Sequence, residues 1–383
     1  MRATTTREAE RLIRDMLAIA GIAVGGHAPI DVRVHDRRFY DRVFSQGALG
    51  LGESYMDGWW DCDRIDQLVC RVLEEDLIAK VERGWRTAAA WLRAQVMNLQ
   101  TVARAPQVAH KHYDLGNDFF AAMLGRTMMY SCAYWPRADG LDAAQDHKIE
   151  LICKKLGVGP DDHVLDIGCG WGGFAKWTAE HTGARVTGVT VSAPQAAFAR
   201  QWCKGLPVDF AVLDYRSPEI ALKGPFTKIV SIGMFEHVGD KNYRTFMTTA
   251  RDLMVRDGMM LLHTIGRSGW AEPYDAFTDR YLFPNSQLPS MAEIAEAAAE
   301  LFVIEDWHAF GGDYDPTLMA WHANYQRAIA EDHPAVPRSD RFRRMWNYYL
   351  LAYAGNFRAR IRMQLWQVVL ARRGVKPAYR SIR

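Results

Sequence analysis

The stretch "VLDIGCGWGG" (residues 164–173) runs from a strand-like apolar segment into a glycine-rich loop. Gly168, Gly170 and Gly173 fit the spacing G-x-G-x-x-G, and helical periodicity follows to about residue 181. Glycines let a ligand approach the backbone closely, and the N-terminus of the following helix carries a partial positive charge. The stretch therefore predicts a nucleotide-binding loop between a strand and a helix.

Strand and helix patterns alternate on the C-terminal side of this loop. The further strand-like segments are 185–192, 208–215, 227–234, 258–266, 301–310 and 361–373. Alternation with helices of ten to fifteen residues predicts an α/β fold with a parallel, doubly wound, Rossmann-like sheet. A later helix is predicted from about Ser339, with Gly355 helping to end it.

A chain of 383 residues favours two domains. Residues 1–105 read as a smaller, mainly helical domain, and residues 106–383 as the catalytic domain, because residues 101–120 turn polar and contain Pro106. Residues 1–21 mix acids and bases at helical spacing, so we interpret them as a first helix and not as a signal peptide.

Composition excludes several classes of protein. No run of eighteen apolar residues exists, so no membrane-spanning helix is predicted. The six cysteines form no CxxC pair, which favours reduced thiols in a cytosolic protein and no metal site. Residues 338–383 hold twelve Arg and Lys and one acid, although the net charge is only +2. This basic end either meets nucleic acid or an anionic membrane, or pairs with acids elsewhere in the fold.

The residues around the loop distinguish between nucleotides. A dinucleotide site favours an acid at the end of the second strand, where this chain has Thr190 with Gln195 nearby. Asp166 at the loop entry would repel a pyrophosphate but suits the ammonium of S-adenosylmethionine. Asp214 ends the third strand, where a carboxylate can accept a hydrogen bond from an adenine amino group. These residues favour a class I methyltransferase site over an NAD site.

Several long sequence motifs resemble those of one protein family. "HYDLGNDFF", "MMYSCAYWPRADGLDAAQ", "GVTVSAPQ", "MFEHVG", "LLHTIG", "YLFPNSQLPS" and "EDWHAFGGDYDPTLMAW" occur in this order. In order and spacing they resemble the cyclopropane-fatty-acyl-phospholipid synthases, within the mycolic acid cyclopropane synthase-like methyltransferases. The likeness covers nearly the whole chain and points to the bacterial branch that acts on phospholipids. It implies cofactor contacts from Tyr130, Ser131, Asp166, Gly168, Gly170, Gly173, Thr190, Gln195, Asp214, Tyr215 and Arg216.

The resemblance implies methyl transfer from S-adenosylmethionine to a cis double bond of a phospholipid acyl chain, followed by proton loss and ring closure. An alkene has no proton to lose before it attacks, so a base is useful only afterwards. Attack leaves a carbocation, which needs a dry site with aromatic faces. Aromatic residues near the motifs are Tyr134, Trp135, Phe235, Tyr281, Phe283 and Tyr314.

Glu236 and His263 end neighbouring predicted strands, so both should lie in the crevice above the cofactor. By resemblance, a bicarbonate ion serves there as the base, held by Cys132, Glu236, His263, the backbone of Ile265 and Tyr314. The other readings are that Glu236 caps the helix near Lys241, and that Cys132 and Tyr314 are core residues. We expect His237 to be structural. Tyr353 stands where the family often has cysteine, so no nucleophile is predicted there.

The implied partners are an unsaturated acyl chain, an anionic phospholipid bilayer and a second copy of the chain in a homodimer, with no nucleic acid. The expected location is cytoplasmic, peripherally bound to the inner face of the cell membrane. Either the basic C-terminal end or the aromatic N-terminal segment is the predicted docking face. Rival hypotheses are a methyltransferase for oxygen, nitrogen or sterol carbon, a non-catalytic lipid carrier, and a nucleic-acid methyltransferase. A methyl-branched or methylene product also stays open.

Overall fold

The computed structural model describes residues 6–77, 115–269, 275–374 and 379–383. The helices are α1 (Thr6–Ile19), α2 (Arg38–Met56), α3 (Ile65–Glu74), α4 (Asn117–Leu124), α5 (Leu141–Leu156), α6 (Gly173–Thr182), α7 (Ala193–Trp202), α8 (Tyr243–Leu253), α9 (Ala276–Tyr281), α10 (Met291–Ala298), α11 (Tyr314–Ala330) and α12 (Asp340–Ala359). The strands are β1 (Arg33–Val34), β2 (Trp60–Asp61), β3 (His163–Ile167), β4 (Arg185–Thr190), β5 (Val208–Val212), β6 (Phe226–Ile232), β7 (Met254–Arg267), β8 (Phe302–Ala309) and β9 (Met363–Arg372).

The chain divides into two compact units. The helical unit comprises Met1–Met97, Ala271–Phe283 and Tyr314–Arg362, and the sheet unit comprises Asn98–Trp270, Pro284–Asp313 and Met363–Arg383. Helices α11 and α12 thus join the N-terminal segment although they follow most of the sheet in sequence. The predicted domain boundary at residue 105 lies outside the described residues.

Within the residues that the structure describes, the sheet unit has seven strands in the order β5-β4-β3-β6-β7-β9-β8. Strands β5, β4, β3, β6 and β7 are parallel, whereas β9 runs antiparallel to both β7 and β8. The predicted doubly wound α/β fold is confirmed, but the sheet is mixed and not entirely parallel. The apolar pattern of the last two strands carried no information on their direction.

Apolar residues cover both faces of this sheet. Adjacent residues alternate between two buried clusters, so that Leu165 and Leu262 face one layer while Val164 and Leu261 face the other. The second layer includes Ile149 and Ile152 of α5. Period-two alternation in strands that are buried on both faces explains why these segments are almost wholly apolar.

In the helical unit, α12 packs closely on α3. A Cβ at Gly355 would lie 2.2 Å from the backbone oxygen of Asp66, so only glycine allows this approach. The prediction that Gly355 helps to end the helix is wrong, because α12 continues to Ala359. Gly355 therefore allows two helices to pack closely, and it does not end the helix.

A buried carboxylate ties the same helices together. The Asp66 side chain is 0% exposed and receives hydrogen bonds from Arg64 (2.9 Å) and Arg358 (2.6 Å). Arg358 also bonds Asp315 of α11 over 2.8 Å. Burial alone would raise the pKa of Asp66, but these guanidinium groups hold it at about 2. The carboxylate is therefore ionised and links three helices.

The basic C-terminal stretch is partly used inside the fold. Arg338, Arg341, Arg344, Arg358 and Arg383 form ion pairs with carboxylates of their own unit. This favours the alternative in which the positive charge of residues 338–383 pairs with acids. Among the described helices, none combines the length and the apolarity needed to cross a membrane.

Candidate active site

The sheet has a topological switch point between β3 and β6. Strands β4 and β5 follow on one side of β3, and β6 and β7 lie on the other side. In open α/β sheets, ligands bind at the carboxyl ends of the strands beside such a point. The glycine loop follows β3 here and Glu236 follows β6, so the sequence motifs meet at one crevice.

The glycine loop connects β3 to α6 and is held against β4. The backbone N–H groups of Gly168 and Cys169 both donate to the carbonyl oxygen of Val189. Gly168 has a φ of 84°, and a Cβ there would lie 2.6 Å from the Met234 side chain. Gly170 also has a positive φ, 53°. Any side chain at Gly168 would therefore require a strained backbone conformation and would clash with Met234.

Gly173, the third glycine of the motif, has to be glycine for a different reason. It is the first residue of α6, and a Cβ there would lie 2.0 Å from the backbone oxygen of Thr127. The segment around Thr127 leads into Tyr130 and Ser131, which the family resemblance assigns to the cofactor. Gly173 thus lets that segment lie against the start of the helix.

Asp166 lies on β3 just before the loop and is 1% exposed. Burial raises the pKa of its carboxyl, and the charge of Lys148 opposes this rise. Its Oδ2 atom has no hydrogen-bond partner among the residues that the structure describes. A buried carboxylate oxygen with spare acceptor capacity fits the ammonium of S-adenosylmethionine.

The end of β4 presents amide and hydroxyl groups and no carboxylate. The Thr190 hydroxyl donates to Oε1 of Gln195 over 3.1 Å, and the backbone N–H of Ser192 donates to the Thr190 hydroxyl. Ser192 in turn caps α7 by accepting from the backbone N–H of Gln195. Both predicted side chains therefore meet at one strand end, where neutral polar groups suit ribose hydroxyls.

After β5, Asp214 and Arg216 form a closed pair. Arg216 donates to both carboxylate oxygens of Asp214, over 2.7 and 2.8 Å, and its guanidinium lies over the Tyr215 ring. Burial raises the pKa of Tyr215 to about 12. The Asp214 carboxylate is thus fixed in place by its neighbour, and its predicted bond to adenine stays a prediction.

The segment Tyr130–Cys132 approaches the end of β6. A Cβ on Gly233 would lie 3.6 Å from Cβ of Ser131. Cys132 is completely buried, and its thiol donates to the backbone oxygen of Ala133. The Tyr130 ring contacts Phe120, which also contacts Trp171 of the glycine loop. Residues from both motifs therefore border the same crevice.

Glu236 sits in a 3₁₀ turn after β6 and is 5% exposed. Its Oε1 accepts a hydrogen bond from the backbone N–H of Ile265 on β7, over 2.6 Å. Burial raises the pKa of Glu236 to about 7, against the hydrogen bonds it receives. Its Oε2 has no partner within the described residues. The carboxylate does not cap α8, whose N-cap residue is Asn242.

His263 lies on β7 and is 1% exposed. Burial, together with the charges of Lys148 and Lys155, keeps the pKa of His263 well below its usual value, so the imidazole is neutral. Gln367 of β9 is directly opposite and has its amide nitrogen 3.4 Å from Nδ1 of His263. Within the described chain, Nε2 of His263 lacks a hydrogen-bond partner.

Two other residues of the sequence analysis belong to the helical unit. Tyr314 begins α11 and stacks on Phe357, with ring centroids 4.3 Å apart. Tyr353 bonds the Thr278 hydroxyl and packs against Tyr349. The role of Tyr314 at the base stays a prediction.

Two buried lysines and one buried glutamine near the site were not predicted from the sequence. Lys148 and Lys155 are both buried on the inner face of α5, and Gln367 is fully buried on β9. The sequence does indicate that the lysines are buried. Lys148 and Lys155 are seven residues apart, and therefore on one face of a helix, and the apolar stripe of that helix includes Ile152. Charged residues within such a stripe are unusual and indicate a polar cluster.

Comparison with known proteins assigns the chain to a family. The family model described as "Mycolic acid cyclopropane synthetase" matches residues 100–368. The chain is similar to the cyclopropane-fatty-acyl-phospholipid synthase of Escherichia coli strain K12, with 47% identity over 373 residues. That match covers 97% of this chain and 96% of the relative.

Solved structures agree with this. The cyclopropane synthase MmaA2 from Mycobacterium tuberculosis shares 29% identity at a TM-score of 0.64, covering 70% of this chain and 98% of that chain. The mycolic acid cyclopropane synthase CmaA1, solved as a complex with SAH and CTAB, shares 31% identity at a TM-score of 0.63, with the same coverage. These structures share the class I methyltransferase fold.

Proposed function

Because the chain belongs to the mycolic acid cyclopropane synthetase family, we propose that it transfers a methylene group from S-adenosylmethionine to the cis double bond of an unsaturated phospholipid acyl chain. The product is a cyclopropane acyl chain. One observation carries this proposal: the glycine loop after β3 and the buried Glu236 and His263 beside β6 and β7 lie at the same switch point of the sheet. The name of the Escherichia coli relative supports the choice of substrate.

The cofactor side uses Asp166, the glycine loop, and the pair Thr190 and Gln195. Oδ2 of Asp166, which no described residue bonds, would accept a hydrogen bond from the amino group of the methionine moiety. Thr190 and Gln195, which bond each other, would hold the ribose, and the Asp214–Tyr215–Arg216 segment, fixed by its internal ion pair, would hold the adenine. When bound, S-adenosylmethionine supplies an electrophilic methyl group, and these residues hold it in a fixed direction.

The acceptor side has to exclude water, since a carbocation forms in the proposed reaction. Glu236, His263 and Cys132 are each at most 5% exposed. Phe310 lies 5.8 Å from the His263 ring, and Tyr134 lies 5.2 Å from Phe310. These aromatic faces supply negative electrostatic potential next to a dry polar group, which stabilises a cation without reacting with it.

The proposed proton acceptor is bound by several side chains. Oε2 of Glu236 and Nε2 of His263 are buried polar atoms that no described residue bonds. A bicarbonate ion fits this pair, because its hydroxyl can donate to the carboxylate while its oxygens accept from the imidazole N–H. We infer that Glu236, His263, Cys132, Ile265 and Tyr314 hold it there. The Ile265 N–H already bonds Glu236, so its contribution is to orient that carboxylate.

The test uses the purified chain with methyl-labelled S-adenosylmethionine and vesicles of either cis-unsaturated or saturated phospholipid. We expect labelled CH₂ in the lipid only with the unsaturated vesicles, and faster turnover when bicarbonate is added to carbonate-free buffer. Mass spectrometry of the released fatty acids then distinguishes a cyclopropane from a methyl-branched or methylene chain. Label appearing in saturated lipid, or in no lipid, would overturn the proposal.

The acyl chain is reached from a bilayer, and we propose peripheral binding to anionic lipid at the inner face of the cell membrane. Leu12 and Ile19 of α1 and Phe44 of α2 are exposed, so the helical unit offers apolar side chains for insertion. We expect vesicle sedimentation to weaken for L12E/I19E but not for the exposed polar variant E8Q. Equal binding to neutral and anionic vesicles at low and high salt would exclude the electrostatic contribution.

We also propose a homodimer, as the family resemblance implies. Sedimentation velocity of the purified chain checks this directly. A single species at 43.5 kDa over the whole concentration range would contradict it.

A further inference from the structure

Three polar residues form a row across neighbouring strands of the sheet. His263 of β7 lies opposite Gln367 of β9, and Gln367 lies opposite His308 of β8. Side chains directly opposite each other in antiparallel strands have Cβ atoms about 5 Å apart, so the Gln367 amide lies between two imidazoles. Gln367 is 0% exposed, and the function described above does not use it. A fully buried amide beside a proposed acid–base group needs an explanation.

The hydrogen bond from Gln367 decides which nitrogen of His263 carries the proton. The amide nitrogen of Gln367 lies 3.4 Å from Nδ1 of His263. An amide nitrogen only donates, so Nδ1 accepts. Burial keeps the pKa of His263 well below its usual value, so the imidazole is neutral and has a single N–H group. That proton is therefore on Nε2.

His308 explains why the amide has this orientation. Lys155 pairs with Asp306 over 3.2 Å, and its ammonium nitrogen lies 3.1 Å from Nδ1 of His308. Because an ammonium only donates, this Nδ1 accepts. Burial lowers the pKa of His308 to about 4, so its ring is neutral and carries its proton on Nε2. His308 therefore has no nitrogen left to accept from the Gln367 amide, whereas Nδ1 of His263 does accept from it.

The tautomer decides what His263 offers to the crevice. The two nitrogens of an imidazole point to different sides of the ring, so Nε2 points away from Gln367. Nε2 of His263 and Oε2 of Glu236 both lack a partner within the described residues, and Oε1 of Glu236 is already bonded by Ile265. An ionised carboxylate only accepts hydrogen bonds. The N–H of His263 complements it, because an anion that carries a hydroxyl needs both an acceptor and a donor.

We propose that Gln367 is a positioning residue that holds His263 as the tautomer protonated on Nε2, so that the imidazole donates to the anion that takes up the proton. This rests on the proposed function, in which Glu236 and His263 hold a bicarbonate. In the other tautomer, a lone pair of Nε2 would face an anion oxygen with no proton between them, and a buried acceptor would stay unsatisfied. Gln367 acts through the imidazole and contacts neither substrate nor cofactor in this proposal.

Nitrogen NMR of the full chain with isotope-labelled histidine reads the tautomer directly. Protonated and unprotonated ring nitrogens resonate far apart, and the variant H263N assigns the signals of His263. We expect the wild type to carry the proton on Nε2. Q367M keeps the length of the side chain but removes the donor, so we expect a mixture of both tautomers. Q367E offers an acceptor in the same place, so we expect Nδ1 to become protonated.

Turnover gives a second measurement. We expect Q367M to need about tenfold more bicarbonate for half-maximal turnover, the effect of one hydrogen bond to a charged group, with S-adenosylhomocysteine affinity within about twofold of the wild type. A general loss of packing would weaken both. Q364M is the control, because Gln364 is on the same strand and bonds Ser268 instead. Its spectrum and its bicarbonate requirement should match the wild type.

A wild-type His263 that is protonated on Nδ1 overturns the inference. It is also overturned if the proton stays on Nε2 alone in both Gln367 variants, and if one of them does not fold, the other decides. Wild-type turnover that is independent of bicarbonate refutes the proposed base instead, and the spectra still decide whether Gln367 sets the tautomer.

Discussion

The backbone N–H of Ile265 donates to Oε1 of Glu236 over 2.6 Å, which joins the turn after β6 to the strand β7. The bond occupies one carboxylate oxygen and fixes the direction of the other. The same strand carries His263 two residues earlier. The relative position of the carboxylate and the imidazole is therefore set by the parallel pairing of two strands, which is more rigid than a loop.

Replacing Glu236 by glutamine tests the proposed acceptor side. E236Q keeps the shape and the bond from Ile265, but it removes the ionisable oxygen that faces the crevice. We expect kcat to fall about 10²- to 10⁴-fold, the range for loss of an acid–base group. S-Adenosylhomocysteine affinity, measured by calorimetry, should change less than about twofold. The exposed E296Q serves as the control, and near-normal turnover by E236Q would remove this residue from the mechanism.

Adding a methyl group at Gly168 tests the loop geometry. G168A combines a φ of 84° with a Cβ 2.6 Å from Met234, so the loop has to shift. We expect loss of detectable S-adenosylhomocysteine binding while far-ultraviolet circular dichroism stays unchanged. G159A is the matched control, because a Cβ there meets nothing within 4 Å. If G168A bound the cofactor as tightly as G159A, the loop would not be the cofactor site.

The buried carboxylate of the helical unit predicts acid sensitivity. Asp66 has a pKa of about 2 in the fold, and about 4 in an unfolded chain. Because the folded value is the lower one, this stabilisation is fully present above pH 4 and disappears as the pH falls towards 2. We expect D66N to lower the free energy of unfolding by about 2 kcal/mol at pH 7, and the difference to shrink below pH 4.

Urea unfolding at several pH values measures this. D63N is the control, because Asp63 forms an exposed pair with Arg33, and such pairs contribute less than about 1 kcal/mol. A D66N difference that persisted unchanged at pH 3 would mean that its effect does not come from ionisation.

Asp306 of β8 holds a second buried cluster. It pairs with Lys155 over 3.2 Å and with Arg383 over 2.7 Å, and it accepts from the Ser381 hydroxyl. Burial lowers the pKa of Lys155 to about 8, and the Asp306 charge limits this fall. We expect D306N to lower stability by about 3 kcal/mol, since a buried cation loses its counter-charge.

Differential scanning calorimetry checks this prediction, with D209N as the control for an exposed pair in the same unit. Limited proteolysis should also cut near residue 380 faster in D306N, because the segment 379–383 loses its anchor. Equal melting temperatures for D306N and D209N would show that the cluster contributes no net stability.

The sequence was sufficient where local patterns carry the information. The run from β3 through Gly168 to α6 has a strand period, glycine spacing and a helix period in succession, so its structure was predictable. Glu236 could be placed just after β6, because parallel strands finish at one edge of a sheet. The prediction that His263 ends its strand is wrong, because β7 continues to Arg267, although His263 does lie opposite Ile232, the last residue of β6. The same reasoning extended to Thr190 and Gln195.

Features that depend on long-range packing were not predictable. Residues 363–372 are mostly apolar, and a parallel or an antiparallel strand would show the same pattern. Nothing local therefore indicated that β9 runs antiparallel between β7 and β8. Gly355 resembles a helix terminator, although its role depends on α3, almost three hundred residues earlier. Lys148 looks like one polar residue of an amphipathic helix, and only the sheet beneath it reveals its burial.

The position of β9 also affects how the chain is made. During synthesis, β7 and β8 emerge from the ribosome well before residues 363–372, so each waits with an unpaired edge. Exposed strand edges recruit other chains. A translation product that stops before residue 363 lacks both the joining strand and Gln367, so nascent chains should depend on chaperones until β9 has emerged.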